Sequence, residues 1–142
     1  MTKNLEAKTA MLIRKPVAEV FEAFINPEMT SKFWFTKSSG KLEVGKKVEW
    51  TWQMYQVTVP VMVKKIEPNK KIVVEWGNYQ SVSTIEWTFK NIPNEGTYVS
   101  IVNRGFQGNE AERIAQVCDS TKGFTFLLAG LKAYLGRVPK VS

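Results

Sequence analysis

From Lys46 to Phe106 the chain passes through one stretch after another in which apolar and polar residues alternate, and it then closes on a single long run of helical period. A period of two marks a strand with one buried face, and a period of 3.6 marks a helix with an apolar stripe. "KKVEWTWQM" puts Val48, Trp50, Trp52 and Met54 on one face and Glu49, Thr51 and Gln53 on the other. "VTVPVMVKKI" aligns Val57, Val59, Val61 and Val63. Its Pro60 predicts an edge position or a bulge, because proline has no N–H to give to a ladder. "KIVVEW" aligns Ile72, Val74 and Trp76, "SVSTIEWTFKN" aligns Ser83, Ile85, Trp87 and Phe89, and "TYVSIVNRGF" aligns Val99, Ile101 and Asn103. "EPNKK" and "PNEG" are tight-turn signals between runs. Strands joined this way form an antiparallel meander, whose apolar face needs a cover.

The closing run supplies that cover. Asn109 is placed to cap it, Glu110 and Glu112 suit its first turn, and Val117, Ser120, Phe124, Leu127, Leu128, Leu131 and Leu135 form one stripe. Gly123 and Gly130 interrupt this helix, each at a cost of about 0.5–1 kcal/mol relative to Ala. They predict either close approach of a neighbouring segment or space at the edge of a cavity. Ahead of the meander, "KTAMLIR" reads as a first strand. Pro16 suits the first turn of a helix carrying Val17, Val20, Phe21 and Phe24, which Asn26-Pro27 ends. Pro27 can open a second short helix, "PEMTSKFWF", ending in Phe33-Trp34-Phe35, with Lys37–Gly40 as a connector. The expected architecture is α+β: a curved antiparallel sheet wrapped around a long C-terminal helix, with two short helices after the first strand. Residues 1–142 are expected to form one domain.

Composition removes several chemistries. The sequence has no histidine, one cysteine (Cys118) and one aspartate (Asp119). A Ser–His–Asp triad and a Cys/His zinc site are therefore impossible, and acid–base work would fall to Glu, Tyr, Lys or Asp119. The lone cysteine excludes an internal disulfide and fits a reducing cytoplasm; it is expected to be a small buried or half-buried filler. No signal peptide and no membrane span are expected, since no apolar run is long enough. The net charge of +7 raises the possibility of nucleic acid. Yet its lysines cluster only in pairs (Lys46–Lys47, Lys64–Lys65, Lys70–Lys71), and no nucleic-acid-binding motif spacing occurs, so no nucleic-acid partner is expected. By parity Glu49, Glu75 and Glu86 face away from the tryptophans and should be solvated and paired with lysines. Asp119 lies off the centre of the helical stripe, which favours a surface role.

The order of elements resembles the helix-grip fold of the START-like (Bet v 1-like) superfamily, and within it the group named after the activator of Hsp90 ATPase. The matching stretches are "KPVAEVFEAFINPEMTSKFWF", "VKKIEPNKKIVVEW", "GTYVSIVNRGF" and "GFTFLLAGLKAYL", which together span nearly the whole chain in order. Phe124 follows the late glycine where many members carry Trp. The resemblance implies a cavity between the last helix and the concave sheet that holds an apolar, aromatic or lipid-like small molecule. Candidate lining residues are Phe24, Trp34, Trp50, Trp52, Trp76, Ile85, Trp87, Ile101, Asn103, Ser120, Phe124, Leu127 and Leu128, with Trp34 at the mouth. Four inward tryptophans exceed what packing alone requires, and a few polar groups among them can orient a ligand. No catalytic residue, metal or cofactor is expected. Two alternatives stay open: a cyclase- or dehydratase-type enzyme with a pocket-facing carboxylate or tyrosine, and a protein partner such as a chaperone. The Hsp90-stimulating role belongs to members with an additional N-terminal domain that this chain is expected to lack, so the group's name is not by itself an activity.

Overall fold

A computed structural model describes residues 5–77 and 82–137. Its elements are β1 (Ala7–Ile13), α1 (Val17–Ile25), α2 (Pro27–Thr30), β2 (Lys37–Ser38), β3 (Lys47–Trp52), β4 (Val57–Glu67), β5 (Lys71–Trp76), β6 (Ser83–Ile92), β7 (Gly96–Arg104) and α3 (Glu110–Arg137). The strands form a seven-stranded sheet in the order β1-β7-β6-β5-β4-β3-β2, with every neighbouring pair antiparallel. The meander runs from β2 to β7, and β1 returns beside β7. The architecture is α+β, with the sheet curved around the C-terminal helix. Among the described residues no helix is long and apolar enough to cross a membrane.

Local chemistry sets the boundaries. Pro16 is the N-cap of α1 rather than a first-turn residue, with extended ψ of 147°, and Val17 begins the helix. The Asn26 side chain accepts from the Glu28 N–H at 3.0 Å, so it caps α2 while Pro27 takes the first helical position. α2 stops at Thr30, short of the aromatic cluster that the sequence suggests as its end. The Thr30 hydroxyl reaches back to the carbonyls of Ala23 and Asn26 at 2.5 and 3.0 Å and locks the turn. Lys37–Ser38, expected as connector, forms a short edge strand on Thr51 and Trp50.

The meander departs from simple alternation in two places. β3 ends at Trp52, and Gln53–Tyr55 turn through a 3-10 segment closed by Gln56 at φ 52°. Met54 and Val57 consequently lie outside, 78% and 42% exposed, although alternation assigns them to the inner face. In β4 the register shifts between Val63 and Lys65, so that Ile66, not Lys65, pairs with Ile72 and packs on the core. One extra residue reverses the phase of a strand. Pro60 is neither at an edge nor in this bulge. Its partner Glu49 directs both backbone groups toward Ser39, so the missing N–H of Pro60 faces Gly77, just past the end of β5. That is where a ladder loses least.

The core lies between the concave sheet face, α1 and the C-terminal half of α3. Val20, Phe24, Trp50, Ile72, Ile85, Trp87, Ile101, Leu127, Leu128, Leu131 and Leu135 are each at most 4% exposed. α3 begins with a reciprocal cap: Asn109 Oδ1 accepts from the Glu112 N–H at 2.8 Å, and Glu112 Oε1 accepts from the Asn109 N–H at 3.2 Å. Glu75 pairs with Lys64 (3.7 Å) and Glu86 with Lys71 (3.6 Å) and Arg104 (3.2 Å) on the outer face.

Candidate functional site: a cleft between the last helix and the sheet

The tryptophans converge where parity puts them, and much of the space they enclose is filled by the tryptophans themselves. Trp34, delivered by the turn after α2, is the hub. Its ring centroid lies 4.8 Å from Trp50, 5.7 Å from Trp52, 5.9 Å from Trp76, and 6.0 Å from both Trp87 and Phe124. All five of these contacts are edge-to-face or tilted, the arrangement aromatic quadrupoles favour. The region bounded by Phe24, Trp34, Leu42, Trp50, Ile72 and Trp87 leaves no room for a water molecule.

Toward the N-terminal half of α3 the packing opens into a cleft of about 290 Å³, lined by Trp34, Trp76, Asn103, Asp119, Ser120, Gly123 and Phe124. The sheet contributes Trp76 from the end of β5 and Asn103 from the end of β7. The helix contributes Asp119 through Phe124. Gly123 gives the cleft its width: a methyl built there meets no atom within 4 Å. Gly130, two turns on, serves the other purpose, since a methyl there would come within 3.1 Å of the Phe33 carbonyl oxygen. One glycine leaves space and the other permits contact.

A hydrogen-bonded chain forms the polar side of the cleft. Asn103, 2% exposed, donates from Nδ2 to the Thr84 carbonyl at 2.8 Å and to Ser83 Oγ at 3.0 Å. The Trp76 indole N–H also donates to Ser83 Oγ, at 3.2 Å. Ser120 Oγ donates to Asn103 Oδ1 at 2.8 Å, which ties helix to sheet. Buried polar groups of this kind are costly unless paired, so the chain holds its members in fixed orientations.

Of the residues singled out from sequence, Trp34, Trp76, Asn103, Ser120 and Phe124 come together along the cleft, and Trp52 stands behind it, half-buried against Trp34 and Trp76. Phe24, Trp50, Ile85, Trp87, Ile101, Leu127 and Leu128 lie in the packed core. Asp119 is exposed, as expected, but it sits on the cleft wall, which its off-stripe position did not reveal. Cys118, expected to be at least half-buried, is exposed, because its helical position falls outside the stripe. Among the described residues no cluster of His, Cys, Asp or Glu is arranged to hold a metal ion.

A family model for activator of Hsp90 ATPase homolog 1-like proteins matches residues 14–136. The chain belongs to this family. No curated protein sequence matches the chain. Among solved structures, the family fold recurs in protein SSP2350 from Staphylococcus saprophyticus, which is 27% identical with a TM-score of 0.79, over 96% of both chains. Protein MLL2253 from Mesorhizobium loti is 20% identical with a TM-score of 0.83, over 95% of this chain and 99% of that one. DynU16, a protein in the dynemicin biosynthetic locus, is 16% identical with a TM-score of 0.81, over 95% of this chain and 48% of its own.

Proposed function

We propose that the protein binds a small apolar, aromatic molecule in the cleft between α3 and the sheet and does so without catalysis. The carrying observation is the cleft itself: aromatic walls from Trp34, Trp76 and Phe124, a polar side held rigid by the Asn103 chain, and a glycine that keeps it open. Its volume of about 290 Å³ lies at the lower end of small-molecule pockets, roughly 300–1,000 Å³, so the ligand is a compact one- or two-ring molecule rather than a long lipid chain. Trp50 and Trp87 act as the rigid backing of this wall.

Titrating the protein with compact aromatic probes, followed by tryptophan fluorescence, tests the reading. Saturable binding is expected, and Gly123→Met, whose side chain enters open space, is expected to weaken it by about tenfold or more without lowering the thermal midpoint. Absence of saturable binding, or an unchanged affinity in Gly123→Met, would remove the proposal.

A second reading, acid–base catalysis of the cyclase or dehydratase kind, has one observation in its favour: Asp119 is among the residues that line the cleft. DynU16, a structural neighbour, comes from a biosynthetic locus. In this reading Asp119 would be the proton-transfer group. A chaperone-directed role is supported by the family description alone and is not proposed.

A further inference from the structure

The hydrogen-bonding sense of the cleft narrows the ligand further. Resting on the reading of the cleft as a ligand site, we infer that its occupant presents a hydrogen-bond donor to the helix, as a phenol or an aromatic amine does, and is not a carboxylate. The inference follows from counting protons along the chain of Asn103. The Thr84 carbonyl can only accept, so the atom of Asn103 facing it at 2.8 Å is the amide nitrogen. The second proton of that nitrogen goes to Ser83 Oγ at 3.0 Å. The amide oxygen therefore faces Ser120, and the single hydroxyl proton of Ser120 is committed to it at 2.8 Å. What Ser120 still offers is lone pairs.

The neighbouring side chains point the same way. Asp119, next to Ser120 on the cleft wall, is a carboxylate and accepts only. The Trp76 N–H is committed to Ser83 at 3.2 Å. Phe124 and Gly123 bring no polar side-chain atom, and among the described residues no lysine or arginine lines the cleft. Trp34 also lines the cleft, and its indole N–H, which makes no hydrogen bond among the described residues, is at most a single neutral donor. It does not offset the charge of Asp119. A carboxylate ligand would bring a like charge to Asp119 and lone pairs to the lone pairs of Ser120. A hydroxyl or amine would meet two acceptors.

Four probes of one shape separate the possibilities: naphthalene, 2-naphthol, 2-methoxynaphthalene and 2-naphthoate, titrated calorimetrically into the intact protein. The methyl ether can accept but not donate. 2-Naphthol is expected to bind about tenfold more tightly than naphthalene or the ether, as a hydrogen bond to a charged or buried acceptor supplies. 2-Naphthoate is expected to bind more weakly than naphthalene, and Asp119→Asn to narrow that gap. If the ether or the naphthoate binds as tightly as the naphthol, the donor inference falls while the cleft reading stands. If none of the four binds, both fall.

Discussion

At the scale of single residues, Asn103 has the most dependents. Its amide joins β6, β7 and α3; without it the Ser120 hydroxyl and the Thr84 carbonyl lose this partner and Ser83 keeps only the Trp76 N–H. Asn103→Ala is expected to lower unfolding free energy by about 2–3 kcal/mol, against less than about 1 kcal/mol for Ser120→Ala at the half-buried end of the chain. Urea denaturation of the two variants checks this; equal losses would mean that the amide is merely filling space. Alternation and the helical stripe placed Asn103, Ser83 and Ser120 on inward faces, but did not show which of them pair. Ser83 and Trp76 come from strands whose register brings Ile85 opposite Asn103 and Ser83 opposite Trp76, and register is a tertiary property.

Among the elements, α3 is two helices in one. From Glu110 to Gly123 no residue is fully buried, whereas Phe124, Leu127, Leu128, Leu131 and Leu135 are each at most 4% exposed. The first half is held by the Asn109–Glu112 cap, by Gln116 donating to the Gln107 carbonyl at 2.7 Å, and by Ser120. Amide hydrogen exchange should therefore be faster in Glu110–Gly123 than beyond Phe124, and an aromatic ligand in the cleft should slow it in the first half alone. Uniform protection along the helix would contradict this. The two glycines divide at the same boundary. Gly123→Ala is expected to stabilise the fold by about 0.5–1 kcal/mol through helix propensity, and Gly130→Ala to destabilise it by about 1 kcal/mol by crowding the Phe33 carbonyl. Thermal unfolding of both variants gives the signs directly. Gain at Gly123 with loss of ligand affinity would be the expected trade between stability and an open site.

For the whole molecule, the alternation between Val48 and Asn103 and the helical stripe from Phe124 to Leu135 were enough to define a sheet, its inner face and the helix that covers it. Burial free energy depends on which side of a strand or helix a residue occupies, and that side is written in the period. The meander and the family resemblance followed from the same order of elements, whereas the place of β1 beside β7 and the short strand β2 did not. Depth was not legible. Parity assigned Trp50, Trp76 and Trp87 alike to the interior, yet Trp50 and Trp87 pack against one another as core while Trp76 borders a cleft with Trp34, because the volume left over depends on how all the rings interlock. Nor could a period show the reversal of phase at Val63–Lys65, which a single unpaired residue creates. The exposed tip at Met54 depends on where the sheet stops pairing, and the place of Asp119 beside the cleft depends on where α3 crosses the end of β7. By itself the sequence determined the faces of this protein and the chemistry absent from it. Only the tertiary structure decided where the packing leaves space, since space is what remains after every side chain has found its neighbours.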